Sequence, residues 1–156
     1  MNELAELLIE KGITISSVES FTVGNFATML GSIPGISKVY KGSLITYQSE
    51  TKERLLSIDH ALIEKYGVVS KEIATLMCAN GKSILDTDLC VSFTGNAGPD
   101  AMEGKPVGEV YIGIAYEDVV VYKLNLTGSR QEIASKAVEF AKKKIIEKIN
   151  ENLKKN

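Results

Sequence analysis

Along this chain, short apolar runs rich in β-branched residues alternate with stretches of helical periodicity, and three of those runs empty into a polar or glycine-bearing turn. Ile13-Thr14-Ile15-Ser16-Ser17-Val18 alternates and predicts a strand. It passes directly into Glu19-Ser20-Phe21-Thr22, after which Phe26, Ala27, Met29 and Leu30 recur at helical spacing. Val39 to Tyr47 predicts a second strand, followed by a short helix over 48–56. Leu89 to Thr94 predicts a third, opening onto Gly95-Asn96-Ala97-Gly98-Pro99. Val107–Tyr116 and Val119–Leu126, either side of Glu117-Asp118, read as a hairpin.

The remaining helices are expected near the amino terminus, ended by Gly12, around Asp59–Tyr66, and from a Ser70 cap to about Leu85. A long last one should run from about Ser129, with Ile133, Ala137, Phe140, Ala141 and Ile145 at core spacing. This order predicts an α/β fold: a three-layer α/β/α sandwich with a mixed, mostly parallel sheet. A chain of 156 residues buries about 70% of its unfolded surface as one unit, so a single domain over 1–156 is expected.

Charge and composition exclude several functions. Eighteen basic and 20 acidic residues are interspersed, for a net charge of −2, so there is no positive field to gather nucleic acid. The lysines of the last helix alternate with Glu139, Glu147 and Glu151, the pattern of a solvated face. Cys78 and Cys90 have neither disulfide nor metal-binding spacing and read as small buried apolar residues. His60 stands alone at an expected exposed helix start, so no metal site is expected. The amino-terminal Met1 to Leu8 has no basic region and no long apolar run. The expectation is therefore a cytoplasmic protein with neither signal peptide nor membrane partner.

Three segments put small or polar residues at the end of an apolar strand, where open α/β sheets bind ligands. They are Glu19-Ser20-Phe21-Thr22-Val23-Gly24, Tyr47-Gln48-Ser49-Glu50-Thr51-Lys52 and Thr94 to Pro99. A serine at a strand-to-helix junction either caps the helix or attacks a carbonyl carbon beside free backbone N–H groups. Lys52 is either a solvated charge or a base, and Tyr47 either packs or relays a proton. With one histidine no Ser-His-Asp triad is available, and a lysine-activated serine is the alternative. Such a lysine must lose its proton, so burial or a neighbouring positive charge must lower its pKa from about 10.4.

The Glu19–Gly24 motif, Tyr47 with Glu50 and Lys52, Thr94–Pro99, Lys105-Pro106-Val107-Gly108 and Gly128-Ser129-Arg130 occur in one order over nearly the whole chain. In that order and spacing the sequence resembles the CinA C-terminal family, in its stand-alone form without a further amino-terminal domain. Characterised members are nicotinamide-nucleotide amidases, which convert nicotinamide mononucleotide and water to nicotinate mononucleotide and ammonia. The resemblance implies Ser20 as nucleophile, Lys52 as general base and Tyr47 as an assisting hydroxyl. It implies substrate-binding roles for Glu19, Thr22, Gly24, Thr94, Gly95, Gly98 and Arg130, the arginine pairing with the substrate phosphate. It further implies a small-molecule nucleotide substrate, no cofactor and a homo-oligomer.

The chain departs from the family motif Glu-Ser-Cys-Thr-Gly-Gly at Phe21 and Val23, and also at Gln48-Ser49 and Asn96. Val23 is expected to forbid a positive φ and to narrow the pocket beside the nucleophile. A family member that binds or regulates without catalysis is therefore the alternative reading.

Overall fold

The computed structural model describes residues 2–156; Met1, where the amino-terminal reading begins, lies outside them. Helix α1 (Glu3–Lys11) starts on Asn2, whose side chain accepts the Ala5 amide, and stops at Gly12 in the left-handed conformation, as its glycine predicts. Strand β1 (Ile15–Glu19) leads through a tight turn to α2 (Asn25–Gly31), and a 3-10 turn (Ile36–Lys38) leads to β2 (Tyr40–Ile45). Next come α3 (Ser49–Leu56), α4 (His60–Tyr66), α5 (Lys71–Leu85) and β3 (Leu89–Gly95), then β4 (Glu109–Tyr116), β5 (Asp118–Asn125) and α6 (Arg130–Lys155).

Asp59 and Ser70 cap α4 and α5. Ser129 and Glu132 form a reciprocal capping box at the start of α6. Each of these stops and starts is short-range chemistry written in the sequence, and each falls within a residue or two of its expected place.

The five strands form one sheet in the order β2-β1-β3-β4-β5. β1 pairs parallel with β2 and β3, whereas β3–β4 and β4–β5 are antiparallel. The sheet is mixed as expected, with its parallel half confined to the three strands that lead into the candidate site. The turn at Glu117, with φ 64°, reverses the chain between β4 and β5.

Helices cover both faces. α1, α2 and α6 bury Leu8, Phe26, Ile133 and Ile145 against Ile15, Phe93 and Ile112, and α5 buries Ile73 and Met77 against Val18 and Cys90. All five residues of β1 are buried, because a central strand with helices on both sides has no solvent face. Cys78 and Cys90 are fully buried and unpaired, and burial pushes their thiols up to about 11 and about 12, far from a reactive thiolate at neutral pH. Lys142 and Lys144 pair with Glu139 and Glu147 on the outer face of α6. Among the described residues no helix is long and apolar enough to cross a membrane.

Candidate active site

The parallel register brings three strand ends to one edge of the sheet. Ser20 follows β1 and donates its amide to the Phe93 carbonyl of β3, while the Thr46 amide past the end of β2 donates to the Glu19 carbonyl. Thr94 and Gly95 close β3. Gly95 admits no side chain, since a Cβ there would lie 2.7 Å from the Cα of Val110.

Lys52 comes from the second turn of α3 and folds back under the same edge, 1% exposed. Its Nζ lies 3.1 Å from Ser20 Oγ, 2.6 Å from the Thr46 carbonyl and 3.2 Å from the Tyr47 carbonyl. Desolvation lowers its pKa from 10.5 to about 8, against the raising influence of the negative charge on Glu103. Roughly a tenth of the lysine is then neutral at pH 7. A neutral amine has two N–H donors and one lone pair. With the donors on the Thr46 and Tyr47 carbonyls, the lone pair is left for the Ser20 hydroxyl. The Ser20 hydroxyl and the Lys52 amine thus share one hydrogen-bonding distance, and Ser20 caps no helix.

The cap of α2 comes from Glu19 instead. Gly24, at the N-cap with φ 87°, provides no side chain, so the first amides of α2 require another acceptor. Glu19, fully buried, accepts from the Phe26 amide (3.0 Å), the Ala27 amide (2.9 Å), the Thr22 hydroxyl (2.7 Å) and the Ser17 hydroxyl (2.9 Å). The expected substrate-binding roles of Glu19, Thr22 and Gly24 are thereby corrected: they shape the turn from beneath and do not line the cleft.

Val23 corrects a second expectation, because it adopts φ 44°. The turn imposes this conformation through bonds from the Val23 amide to the Ser20 carbonyl and from the Asn25 amide to the Thr22 carbonyl. Its side chain, 58% exposed, lies outside the cleft and does not narrow it. Phe21 does line the cleft, with its ring edge-on to Phe93 at 6.5 Å between centroids. Among the described residues, the amides of Phe21 and Thr22 have no internal acceptor.

A cleft of about 640 Å³ opens at this edge, lined among others by Ser20, Tyr47, Thr94, Gly95, Gly98 and Arg130. The Thr94 hydroxyl is already committed, donating to the Val68 carbonyl at 2.6 Å. Arg130, the first residue of α6, turns back to donate to the Gly98 carbonyl and to the Tyr47 hydroxyl. Tyr47 therefore meets the Ser20–Lys52 pair through its carbonyl, which the Ser20 hydroxyl also faces at 3.4 Å, while its phenol serves Arg130. The expected assisting hydroxyl is thus bonded to Arg130 and not to Ser20 or Lys52.

Val68, Asp100 and Met102 also line the cleft and were not found by sequence reasoning. They lie in irregular segments whose approach depends on long-range contacts. Among the described residues no group of three His, Cys, Asp or Glu side chains is placed to hold a metal ion.

Comparisons with known proteins bear on the family and the fold. Residues 1–149 match the sequence model of the CinA C-terminal domain. The chain is 40% identical over 148 residues to a "Putative competence-damage inducible protein" of Bacillus thuringiensis, covering 94% of this chain and 36% of that protein. It is 42% identical over 137 residues to a protein of the same description from Levilactobacillus brevis, covering 86% and 33%. The chain thus spans about a third of the length of these curated relatives.

Among solved structures, a competence-damaged protein (CinA) superfamily protein from Klebsiella pneumoniae superposes with a TM-score of 0.94 at 24% identity, over 96% of this chain and 95% of that one. A competence/damage inducible protein from Agrobacterium tumefaciens superposes with a TM-score of 0.86 at 28% identity, over 93% of each. With the family model matching nearly the whole chain and these relatives about 40% identical to it, the chain belongs to the CinA C-terminal domain family.

Proposed function

We propose that this protein is an amidohydrolase that cleaves the carboxamide of nicotinamide mononucleotide by a Ser–Lys mechanism. The observation that carries the reading is the buried Lys52 Nζ, flanked by two carbonyl acceptors and 3.1 Å from the Oγ of Ser20, which lines the cleft. Neutral Lys52 takes the proton of Ser20 as its oxygen attacks the carboxamide carbon. The free Phe21 and Thr22 amides are the donors nearest in sequence to the developing oxyanion. Protonated Lys52, stabilised by the Thr46 and Tyr47 carbonyls, returns the proton to the departing nitrogen, which leaves as ammonia. Water then attacks the acyl-serine with Lys52 again as base, releasing the acid and restoring the Ser20 hydroxyl.

Arg130 is the cationic side chain lining the cleft and is assigned to the phosphate of the nucleotide. The step uses no cofactor, and a substrate of this kind belongs in the cytoplasm. The test is to incubate the purified protein with nicotinamide mononucleotide and measure ammonia against a Ser20→Ala control. Release that disappears in the variant supports the reading. Equal release from both proteins, or none from either, overturns it. Tight nucleotide binding without ammonia would instead mark a binding or regulatory protein.

A further inference from the structure

Between the cis Gly98–Pro99 bond and Pro106 the chain makes a small flap. Met102 and Lys105 form an antiparallel bridge, with amide-to-carbonyl distances of 3.3 and 2.7 Å. Glu103 and Gly104 form its tip with φ 55° and 71°, a two-residue turn with both tip residues at positive φ. Glutamate is a poor choice for that conformation, which favours Gly, Asn or Asp.

What holds Glu103 there is its side chain. The carboxylate crosses to the segment before α5 and accepts the Val68 amide at 3.0 Å and the Val69 amide at 3.1 Å. Gly67 leaves room for it, since a Cβ at Gly67 would lie 2.9 Å from Glu103 Oε1. Both sides of this contact belong to the cleft. Asp100, Ala101 and Met102 of the flap line it, as does Val68, whose carbonyl in turn receives the Thr94 hydroxyl. A second cleft of about 440 Å³ is lined by Gly67, Glu103 and Lys105 and shares Ser49 with the first.

We propose that Glu103 is a positioning residue that latches the 100–105 flap onto the Val68 and Val69 amides and so completes one wall of the Ser20–Lys52 cleft. The inference rests on that cleft being the working site of the proposed amidase. Latched, the flap holds Asp100 and Met102 in the lining of the cleft that Thr94 also lines. Unlatched, the wall loses the carboxylate clamp on Val68 and Val69, and the substrate meets an open trough. The same carboxylate favours the protonated form of Lys52, so its charge and its grip are lost together in Glu103→Ala.

The test uses the full chain and two variants, Glu103→Gln and Glu103→Ala; the side chain is exposed, so neither opens a core cavity. Amide hydrogen exchange at Val68 and Val69 reads the latch without reference to any substrate. Both amides should exchange about tenfold or more faster in Glu103→Ala than in the parent, while amides of β1 and β3 keep their rates. With nicotinamide mononucleotide, KM should rise several-fold in both variants, and the acid limb of the rate profile should move to lower pH. Unchanged exchange at Val68 and Val69 in Glu103→Ala overturns the latch, whatever the activity. Accelerated exchange with an unaltered KM and pH profile overturns its role in positioning. Absence of ammonia release from the parent protein counts against the amidase reading and leaves the exchange result to judge the latch.

Discussion

Replacing Lys52 by methionine keeps the length of the side chain and removes its charge, and the structure sets the size of the effect. The unfolded lysine titrates at 10.5 and the folded one at about 8; that gap corresponds to about 3 kcal/mol. Between those two values the unfolded chain holds the proton and the folded chain does not, so the stability of the parent rises with pH across this window. Below pH 8 both states are protonated and the folded state bears the full cost of burying an ammonium. Lys52→Met escapes that cost but loses the contacts to Ser20 Oγ and to the Thr46 and Tyr47 carbonyls, about 1 kcal/mol each.

The two effects nearly cancel at pH 7, where the variant should be within about 1 kcal/mol of the parent; above pH 10.5 it should be about 3 kcal/mol less stable. Urea unfolding of both proteins from pH 7 to pH 10.5 measures this, since every other titrating group is common to both and drops out of the difference. A difference that does not change with pH would refute the reasoning, because it would mean that Lys52 titrates alike in folded and unfolded chains. In the parent, ammonia release should rise with pH and level off above about 8, following the neutral amine.

Glu19→Gln should cost about 2–4 kcal/mol in urea unfolding, because one carboxylate oxygen becomes an N–H donor facing groups that are themselves donors. Its KM should not change, whereas a substrate-binding Glu19 would raise KM with stability intact. Val23→Gly should leave stability within about 1 kcal/mol of the parent, on the stabilising side, as relief of the positive φ outweighs the added freedom of the unfolded glycine. Ammonia release should be present with either residue; release confined to the glycine variant would identify the natural protein as a degenerate enzyme. Tyr47→Phe removes the phenol from Arg130 and keeps the carbonyl at Lys52, so KM should rise several-fold with kcat nearly constant. A collapse of kcat in that variant would put the phenol back into proton transfer.

Where sequence and structure agree, the governing interactions are local. Gly12, Asp59, Ser70 and the Ser129–Glu132 pair act within four residues of themselves, and the helical stripe Ile133, Ala137, Ala141, Ile145 needs only the 3.6-residue period to be seen. Spacing alone left Ser20 as a possible helix cap and Lys52 as a possible solvated charge; the family resemblance singled them out together, and the structure brings their side chains within 3.1 Å. Reading failed where a side chain had two chemically sensible partners at different distances along the chain. Glu19 could have faced a ligand, but α2 begins with a glycine cap and its amides needed an acceptor. Tyr47 could have turned its hydroxyl to Ser20, but Arg130, 83 residues away in sequence, holds it. Val23 forbade a positive φ on steric grounds, yet hydrogen bonds across the turn outweigh that strain.

By itself the sequence determined the α/β alternation, the helix ends and the residues from which a serine–lysine pair could be built, because periodicity, capping and motif order are properties of neighbouring residues. Only the tertiary structure decided that the two side chains meet and what surrounds them. Burial of Lys52 beneath three converging strand ends lowers its pKa. The Glu103 contact with 67–69 completes the cleft wall. Desolvation and long-range hydrogen bonding depend on what the rest of the chain brings alongside, and no local pattern encodes them.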